Sequence, residues 1–544
     1  MGGAVTLLLH RLRRDENGQV LVLGAIFGLV LMLCVLSTVN LGRAVYAKVE
    51  LQTAADAAAY SQAAVEARVL NFTAYTNRAM VAHYASIMAA AAYLTWVHFL
   101  WAAIDPVLSV LRNVPYAGPA FEALREVFRG LLVLLDSAVA LMTPLVSAAN
   151  VVLYTLQEGA WLAVGAPGGG RLSRLPPEAH SGDSAAAPVE EIWPALVHAA
   201  NQTVFARTRG KPLLVEDVAD SGKILLNDKD DAVQMARAHM IEIANSARDP
   251  WVAYGDRWND PSASPLARHA AWQVGCPIVR GHIGFQIVSR TEMGGPPPPG
   301  STSEALTTSQ AQIYSGQRLQ LGIRCGPIDR RYSVFQLATM DQVFASLRPG
   351  RWSDFQIGES KGGLLGRILG YILRGVLSGI SRAAARTRPT PDIRLFWLSP
   401  YVSFAPQARS RPGGALGQLG NFAQPDVLVG LVRRARDYDR EAGARKYFGR
   451  RFGMDMGGAG AGSTDFSYAA GGAPRTAGLP LLPEGLTAFA AAQTYYHRPG
   501  DWREVPNFFN PLWGARLMPI AESNAANLVP GLVDNPVVRG FLLH

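Results

Sequence analysis

The residues with the clearest catalytic spacing lie at 358–362, which read Gly-Glu-Ser-Lys-Gly and match the G-x-S-x-G pattern. In α/β hydrolases this pattern places a nucleophilic serine on a sharp turn between a strand and a helix. Ser360 follows the strand-like residues 355–357, and His497 lies later in the chain where a general base is needed. Glycine is frequent enough here for such a match to arise by chance, and the repeated strand–helix pattern of that fold is missing. A serine hydrolase using Ser360 and His497 is therefore an alternative and not the favoured interpretation.

The common sequence patterns of zinc sites and phosphate loops are missing. The ten histidines include no H-E-x-x-H and the three cysteines no C-x-x-C, the spacings that many zinc sites use. The glycine run at 458–463 lacks the Lys-Ser/Thr ending of a phosphate loop. We expect no metal, no cofactor and no small-molecule substrate. Cys276 and Cys325 form a disulfide in an oxidising compartment or remain free thiols in a reducing one.

Composition excludes a disordered chain, because 49% of the 544 residues are hydrophobic and only 17% are charged. The net charge of +9 is concentrated in two segments, 361–388 and 433–451, so the protein has local basic surfaces. Such surfaces bind anionic lipid, nucleic acid or acidic partners. Aromatic residues interleave with the bases of 433–451, but we interpret this segment as a solvated helix face and expect no nucleic-acid partner.

Residues 362–380 have the pattern of a cationic amphipathic helix. Leucines recur every four residues from Leu365, and glycines recur at the same spacing from Gly362, a pattern that lets helices approach closely. The polar side carries arginines that could lie on an anionic membrane surface: Arg367, Arg374 and Arg382. Two interpretations stay open: a core helix with solvated arginines, or a contact-dependent membrane-active segment spanning 361–388.

A membrane anchor is predicted at 20–41, a run of 22 residues without a charge. As a helix this run is roughly 33 Å long, enough to cross a bilayer core. Three arginines precede it, so the positive-inside rule places the N-terminus in the cytoplasm and the bulk of the chain outside it. A cleavable signal peptide ending at Ala47 is the competing hypothesis.

The helical pattern continues beyond the predicted anchor. No proline occurs before Pro106, and residues 44–104 are rich in alanine and other good helix formers. The sequence therefore predicts one rod from Gln19 to about Ile104, apolar at its start and amphipathic afterwards. This is the ground plan of pilin-like subunits, whose helices pack side by side.

Several segments resemble TadG-like proteins of the Tad (Flp) pilus-assembly system. They are Gly18-Gln19, the apolar run, Gly42-Arg43, the L-Q-T-A-A-D-A-A-A run at 51–59, and the asparagine-containing stretches at 68–71 and 77–81. The C-terminal residues 509–517 also resemble the ending of long members of this group. The N-terminal resemblance covers residues 14–82.

The resemblance implies a non-catalytic component of a Tad-type pilus assembly or secretion apparatus in the bacterial inner membrane. Its partners would be other Tad pilus or pseudopilin proteins, inner-membrane assembly proteins and membrane lipid. Helix packing and interface contacts would involve Gly42, Arg43, Gln52, Ala55 and Asp56. Some TadG proteins have a D-x-S-x-S metal motif. Residues 260–264 of this chain read Asp-Pro-Ser-Ala-Ser and match that spacing, but we carry over no metal site from those proteins.

Gly18 and Gln19 resemble a prepilin-peptidase site, where cleavage follows a glycine. Such a peptidase favours a glutamate five residues further on, and this chain has Leu23 there. A processed chain that begins at Gln19 and an uncut chain both remain open.

The remaining sequence predicts an α+β protein with a long pilin-like transmembrane helix, a helical hairpin and a loop-rich head with a mixed or antiparallel sheet. Residues 79–111 and 130–165 are apolar, and we favour a buried hairpin over additional spans because ionisable residues interrupt both. A helix is expected at 230–247, and alternating patterns predict strands around 283–287, 319–325, 332–338 and 393–404. The expected segments are a cytoplasmic tail at 1–17, the anchor and rod at 18–105, an apolar helical region at 106–165, a linker at 166–190, the head at 191–452, a Gly-rich loop at 453–485 and a C-terminal segment at 486–544.

Overall fold

The computed structural model describes residues 16–165, 189–210, 232–249, 252, 272–275, 281–294, 310–325, 328–338, 393–405, 424–433, 486–497 and 506–520. Its helices are α1 (Glu16–Leu111), α2 (Gly118–Gly165), α3 (Pro194–Ala206) and α4 (Ala232–Ser246). Its strands are β1 (Glu190–Glu191), β2 (Arg209–Gly210), β3 (Trp272–Gly275), β4 (Gly281–Gly294), β5 (Ala311–Cys325), β6 (Ile328–Ala338), β7 (Ile393–Leu395), β8 (Ser403–Phe404), β9 (Asp426–Arg433), β10 (Leu486–Tyr496) and β11 (Trp513–Met518). The chain is therefore α+β, as its sequence predicts.

Helix α1 is the long apolar N-terminal helix that the absence of early prolines predicts. It runs without interruption for 96 residues. It continues past the expected end near Ile104 and past Pro106 to Leu111. Its last turns are held against the next helix, where Arg125 Nε donates to Asp105 Oδ1 over 2.6 Å, so tertiary contacts outweigh the hydrogen bond that the proline removes.

Helix α2 runs back along the second half of α1 after a tight turn. Gly118 allows this turn, because an added Cβ there would lie 2.1 Å from the carbonyl oxygen of Arg112. Further along, His98 Nε2 lies 2.8 Å from Asp136 Oδ1. The order of these contacts shows that the two helices are antiparallel.

Residues 51–63 of α1 pack on a four-stranded antiparallel sheet in the order β1-β9-β10-β11. The contact is made almost entirely of small residues. Alanines of α1 meet alanines of β10 in one buried cluster, which contains Leu51, Ala54, Ala55, Ala59, Ala63, Ala488, Ala490 and Ala492 together with Val189, Val427 and Leu431. Small side chains let the helix and the sheet lie close together over several turns.

A five-stranded antiparallel sheet, in the order β3-β4-β5-β6 with β7 paired to β5, packs on the later part of α1. It confirms the strands expected around 283–287, 319–325 and 332–338, and α4 confirms the helix expected at 230–247. The stretch 393–404 forms two short strands, β7 and β8, in place of one. Each belongs to a different sheet, since β8 pairs with β2.

Candidate functional site

The first turns of α1 present an apolar surface. Side chains from Val20 to Val35 are all exposed in the structure, with Leu21 at 77% and Phe27 at 67%. An uncharged helical surface of this length is costly in water and favourable in hydrocarbon or against another apolar helix. Two later stretches are long and apolar enough to cross a bilayer, 48–101 and 118–165, whereas the described apolar stretch Val20–Val35 is shorter. In an apolar segment of 18 residues taken from each stretch, 50% of the segment in 48–101 is buried inside the protein, whereas 22% of the segment in 118–165 is buried.

Three glycines line one side of this exposed helix. Gly24, Gly28 and Gly42 have no atom within 4 Å of the position where a Cβ would stand. Gly42 lies 18 residues after Gly24, about five turns, so both project from the same side. The hydroxyl of Thr38 on this side donates to Cys34 O over 2.8 Å and so needs no outside partner. This glycine stripe contains one residue that the sequence analysis predicts for an interface, Gly42, and two glycines that it does not single out. The signal for these two is the four-residue spacing of Gly24 and Gly28.

The opposite side of α1 binds the chain's own sheet. Lys48 Nζ donates to the carbonyl of Thr487, and Gln52 Nε2 donates to Phe489 O over 2.8 Å and to Asp56 Oδ1 over 3.0 Å. Burial lowers the pKa of Lys48.

The predicted interface residues Gln52, Ala55 and Asp56 therefore lie at or beside the contact with β10. Ala55 is fully buried there, and its neighbours are alanines of the sheet and not a second helix. The side chains of Arg43, Gly18 and Gln19 lie outside the described part of the structure, although all three residues are in the backbone of α1.

The glycine side of α1 and the side that contacts the sheet at Leu51 lie on opposite faces of the helix. Leu51 lies 27 residues after Gly24, about seven and a half turns at roughly 3.6 residues per turn, and so projects from the opposite side. Tyr60 lies 36 residues after Gly24, about ten turns, and is 47% exposed. The glycine side of α1 thus stays exposed as far as Tyr60, while the sheet covers the opposite side at Leu51.

Two asparagines join α1 to later parts of the chain, at β11 and at the residues just before β8 and β11. Asn71 forms a double hydrogen bond with one residue: its Nδ2 donates to Trp513 O over 2.8 Å and its Oδ1 accepts from Trp513 N over 3.0 Å. Six residues later, buried Asn77 donates to Phe508 O over 2.8 Å and to Val402 O over 3.1 Å. These contacts join the N-terminal and C-terminal segments that carry the resemblance, a contact that sequence reasoning did not predict.

Gln157 extends this network to α2. Its Nε2 donates to Asn77 Oδ1 over 2.6 Å, and its Oε1 accepts from Val402 N over 3.2 Å. The same double amide contact recurs elsewhere: Asn201 pairs with Leu428, and Asn245 pairs with Met293. Buried amides that satisfy both a backbone N–H and a C=O set helix position accurately, because a small shift leaves buried polar groups unpaired.

Two buried acids lie where α1 crosses the four-stranded sheet. Glu66 is 1% exposed and Asp426 is fully buried. Burial, followed by the charge of Asp426, raises the pKa of Glu66 well above its usual range. The hydroxyl of Thr494 lies 3.4 Å from Glu66 Oε2. This arrangement favours the protonated form of Glu66. The described residues contain no cluster of three or more His, Cys, Asp or Glu that could hold a metal ion.

Other predicted site residues lie elsewhere or outside the description. His497 follows β10, and its backbone N–H donates to Leu512 O over 3.0 Å. Ser360, Cys276 and the arginines at 367, 374 and 382 lie outside the described residues, as does the Gly-rich 453–485 segment. Cys325 is the last residue of β5, and its side chain is not described.

These features define a class of α+β protein in which a long helix is exposed and apolar in its first part and forms the spine of a folded body in its second. Residues 18–66 match the Tad family model, described as Flp pilus-assembly TadE/G-like. The resemblance to TadG-like proteins is confirmed over this segment, which contains the glycine stripe and the alanines on the sheet. No curated protein and no solved structure matches the chain. The match and the apolar helices together indicate a membrane-associated component of pilus assembly.

Proposed function

We propose that this protein is a membrane-anchored, non-catalytic component of a Tad-type pilus assembly apparatus. Residues 20–41 cross the bacterial inner membrane once, with the N-terminus in the cytoplasm and the folded body outside it. Its partners are other Tad pilus, pseudopilin or inner-membrane assembly proteins, and lipid surrounds the rest of the anchor. The protein acts by helix packing and by contacts of the body.

One observation carries this proposal. Within a single helix, α1 changes from side chains that are all exposed and uncharged at 20–35 to a buried face that begins at Leu51. The body therefore already has its core without the first turns of α1. An apolar helical extension that the body does not use has its natural place in a membrane.

The glycine stripe is the proposed contact for a neighbouring helix. Without Cβ atoms, Gly24 and Gly28 allow close approach of a second backbone, which drives helix association in lipid. Among the described residues, the sheet packs on the opposite side of α1 at Leu51 and Ala55, so this contact leaves the glycine side of the anchor open to a neighbour. Gly42 extends the stripe to the membrane surface.

A matched pair of variants tests the stripe. Gly28→Leu fills the proposed contact, whereas Ala25→Leu adds similar bulk about 60° from Gly28 and about 100° from Gly24 around the helix. We expect Gly28→Leu to reduce surface pili and crosslinking of α1 to neighbouring helices, and Ala25→Leu to leave both unchanged. Equal effects of the two variants, or normal pili after deletion of the whole protein, would contradict the proposal.

The N-terminal residue of the membrane-extracted protein defines its role further. Mass spectrometry that finds Gln19 first would show prepilin-type processing and make the protein a candidate fibre subunit. A chain that keeps Met1 would be a permanently anchored assembly factor. A chain that begins near Lys48 would have lost the apolar turns, and the anchored function would be wrong.

A further inference from the structure

Helix α2 has an exposed apolar face with a regular repeat. Large residues alternate at spacings of three and four: Leu124, Val127, Leu131, Leu134, Leu141, Leu145 and Val152 are 44% to 69% exposed. Ala138 and Ala148 occupy the two remaining positions of the same series. A repeat of seven residues with two apolar positions is the pattern of a helix that packs along a second helix in a left-handed coiled coil. We call these nine positions the α2 seam.

The surroundings of the seam are already satisfied within the chain. Beside it, the hydroxyls of Ser137 and Thr155 donate to carbonyls one turn earlier in α2, over 2.7 and 2.9 Å. At one end Arg129 pairs with Glu126, and at the other Arg209 pairs with Glu158. The seam therefore offers apolar surface without a charge that requires an oppositely charged partner.

The position of the seam excludes the bilayer that holds the proposed anchor. His83 Nδ1 lies 2.6 Å from Asn150 Oδ1, which places Val152 nearly level with Ala82 of α1. Ala82 lies 41 residues beyond Leu41, so the nearer end of the seam is about 60 Å along α1 from the membrane surface. A hydrocarbon core of about 30 Å cannot contain both segments. This step depends on the proposed function.

We propose that the α2 seam binds the α2 seam of a second copy of this protein, as a parallel pair of helices. Two copies anchored in one membrane have the same orientation, so a two-fold axis along the membrane normal brings equivalent residues together. Parallel pairing places like ends together, and the ion pairs at these ends leave little net charge to repel. Each seam residue then meets its own counterpart, with Ala138 and Ala148 as the narrow layers between leucine layers.

Disulfide crosslinking of the full-length protein in native membranes tests this pairing. Cys34, Cys276 and Cys325 are first replaced by serine. Leu134→Cys and Leu141→Cys then place thiols at two seam positions, and Val133→Cys is the matched control because Val133 is 60% exposed and Leu134 66% but Val133 lies one residue off the seam. We expect oxidised dimers from both seam variants and none from the control.

A mass measurement extends the test to the intact interface. In detergent, the native protein is expected at twice the chain mass of 58.4 kDa, and Leu134→Glu with Leu141→Glu is expected to return it to one chain. Val133→Glu keeps the dimer. Hydrogen exchange around Asn150 checks that the glutamate variant is still folded, and the cysteine series does not depend on that variant.

Four results would overturn the pairing. A monomeric native protein, or equal crosslinking at 133 and 134, excludes a specific seam. Protection of Leu134→Cys from a maleimide in a monomer shows that another segment of the chain, such as 362–380, covers α2. Labelling of position 141 by a photoactivatable lipid as strongly as position 29 places the seam in the bilayer. If position 29 itself is unlabelled, the proposed membrane anchor is wrong. The crosslinking result still tests whether two α2 seams pair, because it does not depend on lipid labelling.

Discussion

Replacing Asn71 with leucine removes the double hydrogen bond between α1 and β11 without a large change in volume. The variant leaves the N–H and the C=O of Trp513 without their partner, and Trp513 is only 4% exposed. Since the amide supplies the polar contact between β11 and α1 beside the apolar packing of Leu70 and Trp513, we expect the substitution to loosen the C-terminal strand first.

The size of the effect follows from the two groups left unpaired. Each buried unpaired polar group costs about 1–3 kcal/mol, and the added apolar surface of leucine offsets part of the sum. We therefore expect a loss of about 2–4 kcal/mol in the free energy of opening β11. At about 1.4 kcal/mol per factor of ten, this corresponds to roughly 30- to 1,000-fold faster amide exchange in that strand.

Hydrogen exchange with peptide-level mass spectrometry is the assay, and Asn245→Leu is the matched control. Asn245 makes the same double contact with Met293 of β4, over 2.7 and 2.9 Å. Asn71→Leu is expected to accelerate exchange in 513–518 and not in β4, whereas Asn245→Leu does the reverse. Uniform acceleration in both variants would show that the amides stabilise the whole fold and do not fix individual strands, and unchanged exchange at 513–518 would refute the reasoning.

Three further predictions concern pH and one turn. Burial lowers the pKa of His239 to about 4, so stability that is full above about pH 6.5 falls by about 3 kcal/mol towards pH 4. His239→Gln should remove this slope in denaturant unfolding followed across pH. Glu66 behaves in the opposite sense, because its raised pKa makes stability fall as pH rises above about 4.5. Glu66→Gln should stabilise the protein at pH 8 and not at pH 4 in the same titration, and an equal gain at both would argue against a buried proton. Gly118→Ala should lower the melting temperature, at a cost of about 1–3 kcal/mol, because its Cβ would collide with Arg112 O.

The sequence was informative where a pattern is local. The uncharged run at 20–41 and the absence of early prolines predict α1, and strict alternation predicts β5. The strand β10 was not predicted, because its Ala-Phe-Ala-Ala-Ala core has low strand propensity. It forms a strand because alanines on its inner face let α1 lie close to the sheet, which is a tertiary reason.

The candidate site was predictable only in part for the same reason. Alanines at 54, 55, 58 and 59 fit a helix neighbour as well as a sheet, so their spacing indicates close packing without identifying the partner. The contact of Asn71 with Trp513 joins residues 442 positions apart, and no local pattern encodes such a distance. Gly24 and Gly28, by contrast, have a four-residue spacing that is visible in the sequence. It is easily overlooked when the run 20–41 is considered only for its lack of charge.

The amide contacts also determine how the anchor is presented. Alanine side chains form only shallow ridges and grooves. A helix that packs on an alanine surface is therefore weakly held against rotation about its own axis. Asn71 and Asn77 supply the missing constraint, because a shift of one residue would turn α1 by about 100° and leave their backbone partners unpaired. Since α1 is continuous, the same constraint fixes the direction in which Gly24 and Gly28 face. In the proposed function, the C-terminal segment thereby sets the side of the anchor that faces a neighbouring helix in the membrane.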